Sequence, residues 1–308
     1  MGKRLAGVEL GGTKCIAILG SGPDRIEAQV EVPTTSPDET LGRLRDILND
    51  WHRGSGFEAL GLASFGPLDI AAGTVAATAK PGWSGAPVRD QLAAGFDLPH
   101  ALDTDVTGAA LAEGAWGCAE GLGSYCYVTV GTGVGAGIIV NGKPIAGLGH
   151  AEAGHIRVAR VPGDSWPGNC PFHGDCVEGL ASGSAIVARI GGSAVHLGDD
   201  DPIWDLVADA LAQMLHALAL IATPERVILG GGVINARPLL IARVRDRLGI
   251  SLAGYSGPLA APDARETFVR PSALGAHVGP LGALALARSA LGRGADVPPP
   301  VSAGVMAR

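Results

Sequence analysis

The hydrophobic positions of this chain fall into short runs that are interrupted by glycine. Residues 7–19 hold two apolar β-type runs joined by the turn Gly11-Gly12, and the same arrangement returns in residues 127–140. Two copies of strand, glycine turn and strand, about 120 residues apart, indicate two similarly built halves that each open with a hairpin. The pattern therefore predicts a duplicated α/β architecture.

Other segments repeat their apolar residues with the spacing of a helix or of a buried strand. The predicted helices are residues 40–51, 106–116, 183–190, 203–221 and 281–291. The predicted strands are residues 59–64, 125–130 and 226–229, and the last of these leads directly into a run of three glycines. Residues 292–308 are rich in Gly, Ala and Pro and are expected to be a disordered tail.

Composition agrees with a globular protein of two domains. The chain has 308 residues, of which 47% are apolar and 17% are charged, and a chain of this size buries roughly 75% of its unfolded surface. At about 150 residues per domain, the length suggests two domains. We expect α/β domains over residues 1–116 and 117–280, with the helix at 281–291 packing back on the first domain and with a cleft between the two.

Charge and hydropathy disfavour several classes of protein. Lys and Arg number 23 against 30 Asp and Glu, and the net charge of −7 is the wrong sign for a general nucleic-acid binder. No uninterrupted apolar run reaches the 18 or more residues of a membrane helix. The basic start of the chain is followed by Glu9 and two glycines and not by the apolar core of a signal peptide. We expect a cytoplasmic protein with neither nucleic-acid nor membrane partners.

Three glycine-rich turns are candidate phosphate-binding elements: Gly11-Gly12-Thr13, Thr132-Gly133 and Gly230-Gly231-Gly232. Glycine lets backbone N–H groups approach a phosphate because it lacks a Cβ atom and tolerates positive φ. One such turn is more often a plain strand connection, whereas three of them favour nucleotide binding. The chain has no P-loop string, and residues 131–137 lead into a second strand instead of a helix, which excludes a dinucleotide motif.

Together these turns resemble the two phosphate motifs and the adenosine motif of sugar kinases with the actin/hexokinase-like (ribonuclease H-like) fold. The order and separation of the motifs match across nearly the whole chain. The resemblance implies that ATP and Mg²⁺ are bound by Glu9, Gly11, Gly12, Thr13, Lys14, Thr132, Gly133, Gly230, Gly231 and Gly232. Two of these roles stay open: Lys14 either meets phosphate or covers its turn, and Glu9 either binds Mg²⁺ or is a solvated acid at a strand end.

Phosphoryl transfer also needs an acceptor for the hydroxyl proton, usually a single carboxylate. Asp103 and Asp105 lie just before a predicted helix, and Asp105 either caps that helix or is the base. The segment resembles the catalytic Asp motif of these kinases, in which Asn usually stands two positions after the Asp. Here Thr107 stands there, which leaves the base in place and the local hydrogen bonding open.

A metal knuckle is predicted at residues 170–176, Cys-Pro-Phe-His-Gly-Asp-Cys. With His155, the residues Cys170, His173 and Cys176 offer two thiolates and two imidazoles, a closed tetrahedral set for a structural Zn²⁺. The alternative is a chance cluster of these residue types. The remaining cysteines do not suggest a disulfide framework, since five is an odd number and since Cys15 and Cys126 lie inside apolar strands.

The pattern Glu-x-x-His at residues 152–155, followed by Cys-x2-His-x2-Cys-x-Glu at residues 170–178, resembles the signature of the ROK family (repressors, open reading frames, kinases). With Glu9 and the Lys-Pro-Gly-Trp of residues 80–83, it is similar to the zinc-containing fructokinase branch. The resemblance implies a homodimer and a hexose site formed by Gly82, Trp83, Thr104, Asp105, Glu152, His155 and Glu178. Trp83 could equally be a packing aromatic.

The sequence therefore predicts an ATP-dependent hexose kinase that converts fructose to fructose 6-phosphate with Asp105 as general base. A glucose, mannose or broad hexose kinase is the alternative within this class, because pocket geometry decides which hydroxyls are accepted. A sugar-sensing repressor would need an N-terminal helix-turn-helix, for which a phosphate motif starting at Gly7 leaves no room. A zinc-stabilised sugar binder without catalysis is favoured by Thr107 and disfavoured by Asp105, Glu9 and the glycine turns.

Overall fold

Two α/β units make up the part of the chain that the structure, a computed structural model, describes: residues 3–78, 80–255 and 257–292. The described residues of Met1–Trp116, Ile145–His150 and His277–Arg308 form unit 1. Those of Gly117–Pro144 and Ala151–Ala276 form unit 2. The chain therefore returns to unit 1 twice, once in a six-residue crossing and once at its last helix.

A mixed β-sheet is the framework of unit 1. The strands of this unit are β1 (Leu5–Leu10), β2 (Lys14–Gly22), β3 (Arg25–Pro33), β4 (Leu60–Ser64), β5 (Leu68–Asp69), β6 (Thr74–Val75) and β7 (His100–Thr104). Five of them form the sheet in the order β3-β2-β1-β4-β7, with β4 parallel to both β1 and β7. Leu10 pairs with Ser64, and Ser64 pairs with Thr104. The residues that end β1, β4 and β7 therefore lie side by side at one edge of the sheet.

The helices of unit 1 are α1 (Pro37–Gly54), α2 (Val88–Ala93), α3 (Asp105–Trp116) and, at the end of the chain, α10 (Val278–Gly292). The start of α1 is specified locally, because Ser36 accepts a hydrogen bond from the N–H of Glu39 and Pro37 fills the first turn. Helix α10 packs on α3, β1 and β4. Its approach to β4 requires glycine, because a Cβ atom on Gly61 would overlap the carbonyl oxygen of Ala283.

Unit 2 repeats the plan of a hairpin followed by parallel strands. Its strands are β8 (Tyr125–Val130), β9 (Val134–Val140), β10 (Lys143–Pro144), β11 (Arg226–Gly230) and β12 (Val269–Pro271). They form a sheet in the order β10-β9-β8-β11-β12, in which β8 and β9 are antiparallel and β11 runs parallel to β8 and β12. The end of β11 is in register with the end of β8, since Gly230 pairs with Thr129.

The helices of unit 2 are α4 (Val177–Ala181), α5 (Gly183–Ile190), α6 (Ile203–Ile221), α7 (Gly232–Ala236), α8 (Leu240–Leu252) and α9 (Pro262–Phe268). Among the helices described, α6 is the one whose length and composition would allow it to cross a membrane. More than half of its apolar window, 56%, is buried inside the protein. It packs on α8 and α4, as the core helix of a folded unit does.

Most predicted elements are present with small differences at their ends. The helices predicted at 183–190 and 203–221 coincide with α5 and α6, whereas α1 and α10 each begin three residues earlier than predicted. Strands β3 and β7 and helix α8 were not predicted, because polar and charged residues interrupt their apolar pattern. Gly292, predicted to open the disordered tail, closes α10, and residues 293–308 lie outside the described residues.

Candidate functional site

Two carboxylates lie at the sheet edge where β1 and β7 end. Glu9 is the second-last residue of β1, and Asp105 directly follows β7. Burial, followed by the negative charge of Asp105, raises the pKa of Glu9 from 4.5 to about 7, and nearby Lys14 opposes this shift. The parallel pairing of β1, β4 and β7 thus brings two predicted site residues, ninety-six positions apart in the numbering, to the same edge of the sheet, with β4 between their strands.

Asp105 begins helix α3, and a threonine pair beneath it organises the turn. The carboxylate of Asp105 accepts a hydrogen bond from the N–H of Val106 at 2.8 Å. Thr104 Oγ1 accepts the N–H of Thr107 at 3.2 Å and lies 2.8 Å from Thr107 Oγ1. The hydroxyl of Thr107 is therefore engaged with Thr104, which answers the hydrogen-bonding question that the sequence left open.

The first glycine turn closes tightly and exposes its tip. The N–H of Gly11 donates to the carbonyl of Lys14 at 3.1 Å, and a Cβ atom on Gly11 would overlap that carbonyl. Gly12 and Thr13 are exposed, with nothing within 4 Å of the place where a Cβ of Gly12 would lie. The ammonium of Lys14 is bound elsewhere, 2.6 Å from the carboxylate of Glu31 on β3.

Lys80 contacts this turn, a feature that sequence reasoning missed. Its Nζ donates a hydrogen bond to the carbonyl oxygen of Gly12 and lies 5.8 Å from the ring centre of Phe65. Gly82 is exposed at φ +77°, a value that favours glycine. Trp83 is 0% exposed and donates from Nε1 to the carbonyl of Thr35 at 2.9 Å. Of the two roles that the sequence left open for Trp83, this placement favours packing in the core over contact with sugar.

The second glycine turn, between β8 and β9, is held by the start of helix α5. The N–H of Gly183 donates to Gly131 at 2.7 Å, and Ser184 Oγ donates to the carbonyl of Thr132 at 2.6 Å. Glu178, predicted to bind sugar, places a carboxylate oxygen 3.1 Å from the N–H of Val134. A Cβ atom on Gly133 would lie 2.5 Å from that oxygen, so a larger residue here would displace the Glu178 carboxylate.

The third glycine turn lies beside the second. Gly231 has φ +93°, and a Cβ atom there would be 2.6 Å from the carbonyl oxygen of Val130 and 2.7 Å from Thr129 Oγ1. Gly232 then begins the short helix α7, with open space at its Cβ position. Since β8 and β11 run parallel, both glycine turns of unit 2 occupy one edge of its sheet.

The residues predicted to hold a metal form one cluster. The ligand atoms of His155, Cys170, His173 and Cys176 lie within 4.8 Å of one another and could hold a metal ion. His155 Nδ1 is 3.7 Å from Cys170 Sγ and 3.6 Å from Cys176 Sγ. Burial raises the pKa of the Cys176 thiol to about 11 in the absence of a metal. Two sulfur and two nitrogen donors suit a closed tetrahedral site.

Close packing connects the segment that carries His155 to the second glycine turn. Glu152 is exposed and precedes the short 3-10 turn Ala153–His155. Within that turn, a Cβ atom on Gly154 would overlap the carbonyl oxygen of Val134, whose N–H donates to Glu178. The structure thus brings His155, Glu178 and Gly133 together around the start of β9.

A network of ion pairs that was not predicted from the sequence supports the metal loop. Asp175, inside the knuckle, lies 3.2 Å from Arg160, and Arg160 lies 2.9 Å from Asp164. Asp164 also binds Arg189 of α5 through both carboxylate oxygens, at 2.7 and 3.1 Å. The hydrogen bond from Arg189, and a smaller effect of the one from Arg160, hold the pKa of the Asp164 carboxyl well below its usual range. These partners are distant in sequence, so no local pattern reveals them.

Cys15 and Cys126, which were predicted to lie inside apolar strands, are both core residues. Cys15 in β2 and Cys126 in β8 are both 0% exposed. Burial raises the pKa of Cys126 to about 12, which is typical of an unreactive core thiol. Neither residue belongs to the metal cluster.

Two units with the same strand plan, each with a glycine turn in its opening hairpin, define an actin/hexokinase-like protein, and this confirms the predicted fold class. A solved structure of a ROK family glucokinase from Streptomyces griseus, in complex with glucose and AMPPNP, superposes with a TM-score of 0.71 at 26% identity, over 93% of this chain and 99% of that chain. The ROK family matches residues 5–290. The chain belongs to the ROK family.

Curated relatives extend this match over nearly the whole chain. A fructokinase of Zymomonas mobilis is 38% identical over 293 residues, which are 92% of this chain and 96% of the relative. A fructokinase of Pediococcus pentosaceus is 35% identical over 294 residues, 93% of this chain and 98% of the relative.

Proposed function

We propose that this protein is an ATP-dependent fructokinase that transfers the γ-phosphoryl group of ATP to a primary hydroxyl of fructose, giving fructose 6-phosphate. The observation that carries the proposal is the placement of Asp105, Glu9 and the first glycine turn at one sheet edge. The fructokinase relatives support the choice of reaction.

Asp105 is the proposed general base. It begins a helix at the carboxyl edge of the sheet, and its carboxylate accepts a hydrogen bond from the N–H of Val106 in the first turn of that helix. A carboxylate in such a place can accept the proton of the attacking hydroxyl while the leaving group departs on ADP. The buried hydroxyl pair of Thr104 and Thr107 supports the helix turn that Asp105 begins.

The glycine turns are the proposed phosphate and adenosine sites. In the first turn, Gly11 with the exposed residues Gly12 and Thr13 is proposed to bind phosphate groups. In the second turn, exposed Thr132 and partly buried Gly133 are proposed to do the same. The run Gly230-Gly231-Gly232 is proposed for the adenosine. The carboxylate oxygens of Glu9 fit a hard cation such as Mg²⁺, which when bound would neutralise charge on the phosphates.

The hexose site is proposed to use Glu152, His155 and Glu178 of unit 2. His155 would orient sugar while also completing a structural Zn²⁺ site with Cys170, His173 and Cys176, since the donor set and its spread within 4.8 Å fit that ion. We extend the proposal to a cytoplasmic location and to a homodimer, both of which the family resemblance supports. Sedimentation analysis would test whether the protein is a dimer.

A glucokinase or a kinase of broader hexose specificity is the second candidate. The glucokinase from Streptomyces griseus, a structure in complex with glucose, supports it. Discrimination among hexoses depends on which sugar hydroxyls form hydrogen bonds with the site. A polar group of the site that is left without its hydrogen bond strongly lowers kcat/KM for that sugar. Initial rates with fructose, glucose and mannose separate the two candidates, with fructose expected to give the highest kcat/KM.

The decisive experiment measures fructose-dependent ADP release by the wild type and by Asp105→Asn. Asparagine keeps an oxygen for the N–H of Val106, so the variant should fold and keep its metal, while losing about 10²- to 10⁴-fold in kcat with the base. Asp90→Asn, an exposed acid of the same unit with 74% side-chain exposure, is the matched control. Wild-type protein that turns over no hexose would overturn the kinase assignment.

A further inference from the structure

We propose that Lys80 supplies the positive charge that meets the phosphate groups of ATP at the first glycine turn, in place of Lys14. This inference rests on the proposed kinase function and names a further residue of the same site. Family resemblance points to the lysine next to the turn in sequence, whereas the structure points to the lysine that contacts the turn in space.

The contacts of Lys80 place its ammonium at the sheet edge where the two acids lie. Nζ donates to the carbonyl of Gly12, the residue at the open tip of the turn. Phe65, whose ring lies 5.8 Å from Nζ, directly follows β4, and its N–H donates to the carbonyl of Leu10 at the end of β1. Lys80 therefore bridges the ends of β1 and β4, and β7 with Asp105 is the next strand.

Lys80 also retains donors for a ligand. An ammonium has three N–H donors, and the contacts found for Lys80 are one neutral carbonyl and one aromatic face. In the part of the chain that the structure describes, it forms no ion pair with a carboxylate. A phosphate oxygen would therefore not have to displace an anionic partner, and the flexible stem of lysine allows Nζ to follow the phosphate.

Lys14 is less suited to this role. Its Nζ lies 2.6 Å from Glu31, and both side chains are more than half exposed, at 56% and 57%. The ion pair lies on the exposed surface of β2 and β3, where water screens its charge. To serve a phosphate, Lys14 would have to leave a carboxylate, whereas Lys80 would not.

The other cationic side chains of unit 1 that the structure describes are engaged away from the turn. Their partners are Glu58 for Lys3, Glu27 for Arg4 and Arg25, Glu39 for Arg43, Ala94 for Arg45, Asp50 for Arg53, the carbonyls of Ala71 and Ala72 for Arg89 and the ring of Trp116 for Arg288. Two carboxylates, Glu9 and Asp105, already occupy the sheet edge. A polyphosphate entering there gains most from the ammonium of Lys80, which contacts the turn.

Lys80 takes no proton in the proposed step. The bond between the γ-phosphorus and its bridging oxygen to the β-phosphate breaks, the sugar oxygen forms the new bond to phosphorus, and the hydroxyl proton goes to Asp105. Lys80 donates hydrogen bonds to phosphate oxygens throughout. Its charge stabilises both bound ATP and the transition state, so its removal should affect KM for ATP as well as kcat.

A lysine footprint tests the contact without using activity. The chain contains the four lysines Lys3, Lys14, Lys80 and Lys143, so brief acetylation followed by mass spectrometry can follow each one. We expect AMPPNP with Mg²⁺ to slow acetylation of Lys80 at least about fivefold and to leave Lys3 and Lys143 unchanged, because a bound phosphate engages the amine. Protection of Lys14 without protection of Lys80, or protection of neither, overturns the proposal.

Kinetics of matched variants provide the second test. Lys80→Met should lower kcat/KM for ATP by roughly 100-fold, the loss typical of one removed transition-state donor, and Lys80→Arg should restore part of it. Lys14→Met should change it by less than about threefold, as expected for an exposed ion pair, and Lys143→Met, on exposed β10, is the control. Equal losses for Lys80→Met and Lys14→Met would overturn the assignment.

The experiments distinguish a failure of the kinase proposal from a failure of the assignment of Lys80. If the wild type turns over no hexose, the kinetic comparison has no signal, yet nucleotide protection of Lys80 is still measurable. Melting temperature and metal content of Lys80→Met equal to those of the wild type would show that its loss of activity is not a folding defect. Rescue by arginine separates a role of charge from a role of side-chain packing.

Discussion

The carboxylate of Glu9 lies directly against the backbone of Gly279 in the first turn of α10. A Cβ atom on Gly279 would overlap Oε1 and Cδ of Glu9 and would lie 2.7 Å from Oε2. Helix α10 packs closely on β1, so the helix cannot simply withdraw. Glycine at position 279 is therefore what leaves room for a glutamate, one methylene longer than aspartate, at the sheet edge that carries Asp105.

This relationship predicts a size-compensating pair of substitutions. Gly279→Ala should push the Glu9 carboxylate out of place and lower kcat by about 10- to 100-fold, because misplaced catalytic groups are costly. Combining it with Glu9→Asp should recover at least part of the loss, since the shorter side chain leaves room for the new methyl group. Steady-state rates as a function of Mg²⁺ concentration measure both effects.

Gly292→Ala is the matched control for this pair, because Gly292 belongs to the same helix and has nothing within 4 Å of its Cβ position. It should leave kcat unchanged. If the double variant is as inactive as Gly279→Ala while melting at the wild-type temperature, Gly279 does not act through Glu9.

The raised pKa of Glu9 predicts how stability changes with pH. Because burial and Asp105 raise this pKa from 4.5 to about 7, the folded state binds the proton more tightly than the unfolded state between these values. The contribution of Glu9 to the free energy of unfolding therefore falls as the pH rises from about 4.5 through 7. Glu9→Gln should stabilise the Mg²⁺-free protein at pH 8 by at most about 3 kcal/mol and have little effect near pH 4.5.

Denaturant unfolding at several pH values in Mg²⁺-free buffer measures this difference. Glu58→Gln, an exposed glutamate at 50% side-chain exposure, should change the free energy of unfolding by less than about 1 kcal/mol at every pH. Equal stability of Glu9→Gln and the wild type at pH 8 would contradict the prediction.

The Cys/His cluster predicts one tightly held zinc ion per chain. Cys176→Ser should lose most of the zinc, because the site has four donors and no surplus. It should also melt at least ~3 °C below the wild type, as should wild-type protein stripped by a chelator, since metal binding adds to folding stability. Elemental analysis and thermal unfolding on the same samples check both outcomes.

Cys118→Ser serves as the control for zinc binding, because Cys118 lies outside the cluster and its Sγ contacts the carbonyl of Pro271 at 3.7 Å. It should keep a full complement of zinc. Wild-type protein purified without any metal, and unable to bind added zinc, would contradict a metal site of this kind.

Features that depend on neighbouring residues were predictable from the chain. The hairpins β1–β2 and β8–β9 follow from apolar runs around glycine, and α5 and α6 follow from helical spacing. The knuckle was visible because three of its donors lie within one seven-residue loop. Strand β7 escaped prediction although it positions Asp105, because its pattern His-Ala-Leu-Asp-Thr is too short and too polar to signal a strand.

The sequence by itself determined the residue types of the site: a carboxylate before a helix, glycine at three turns and a Cys/His loop. Tertiary structure alone decided which side chains meet, since Lys80 reaches Gly12, Glu178 reaches Val134 and Glu9 lies on Gly279. Spacing along the chain fixes local backbone conformation through capping, turn formation and periodicity. Contacts between elements distant in sequence depend instead on sheet register and helix packing, which only the folded chain sets.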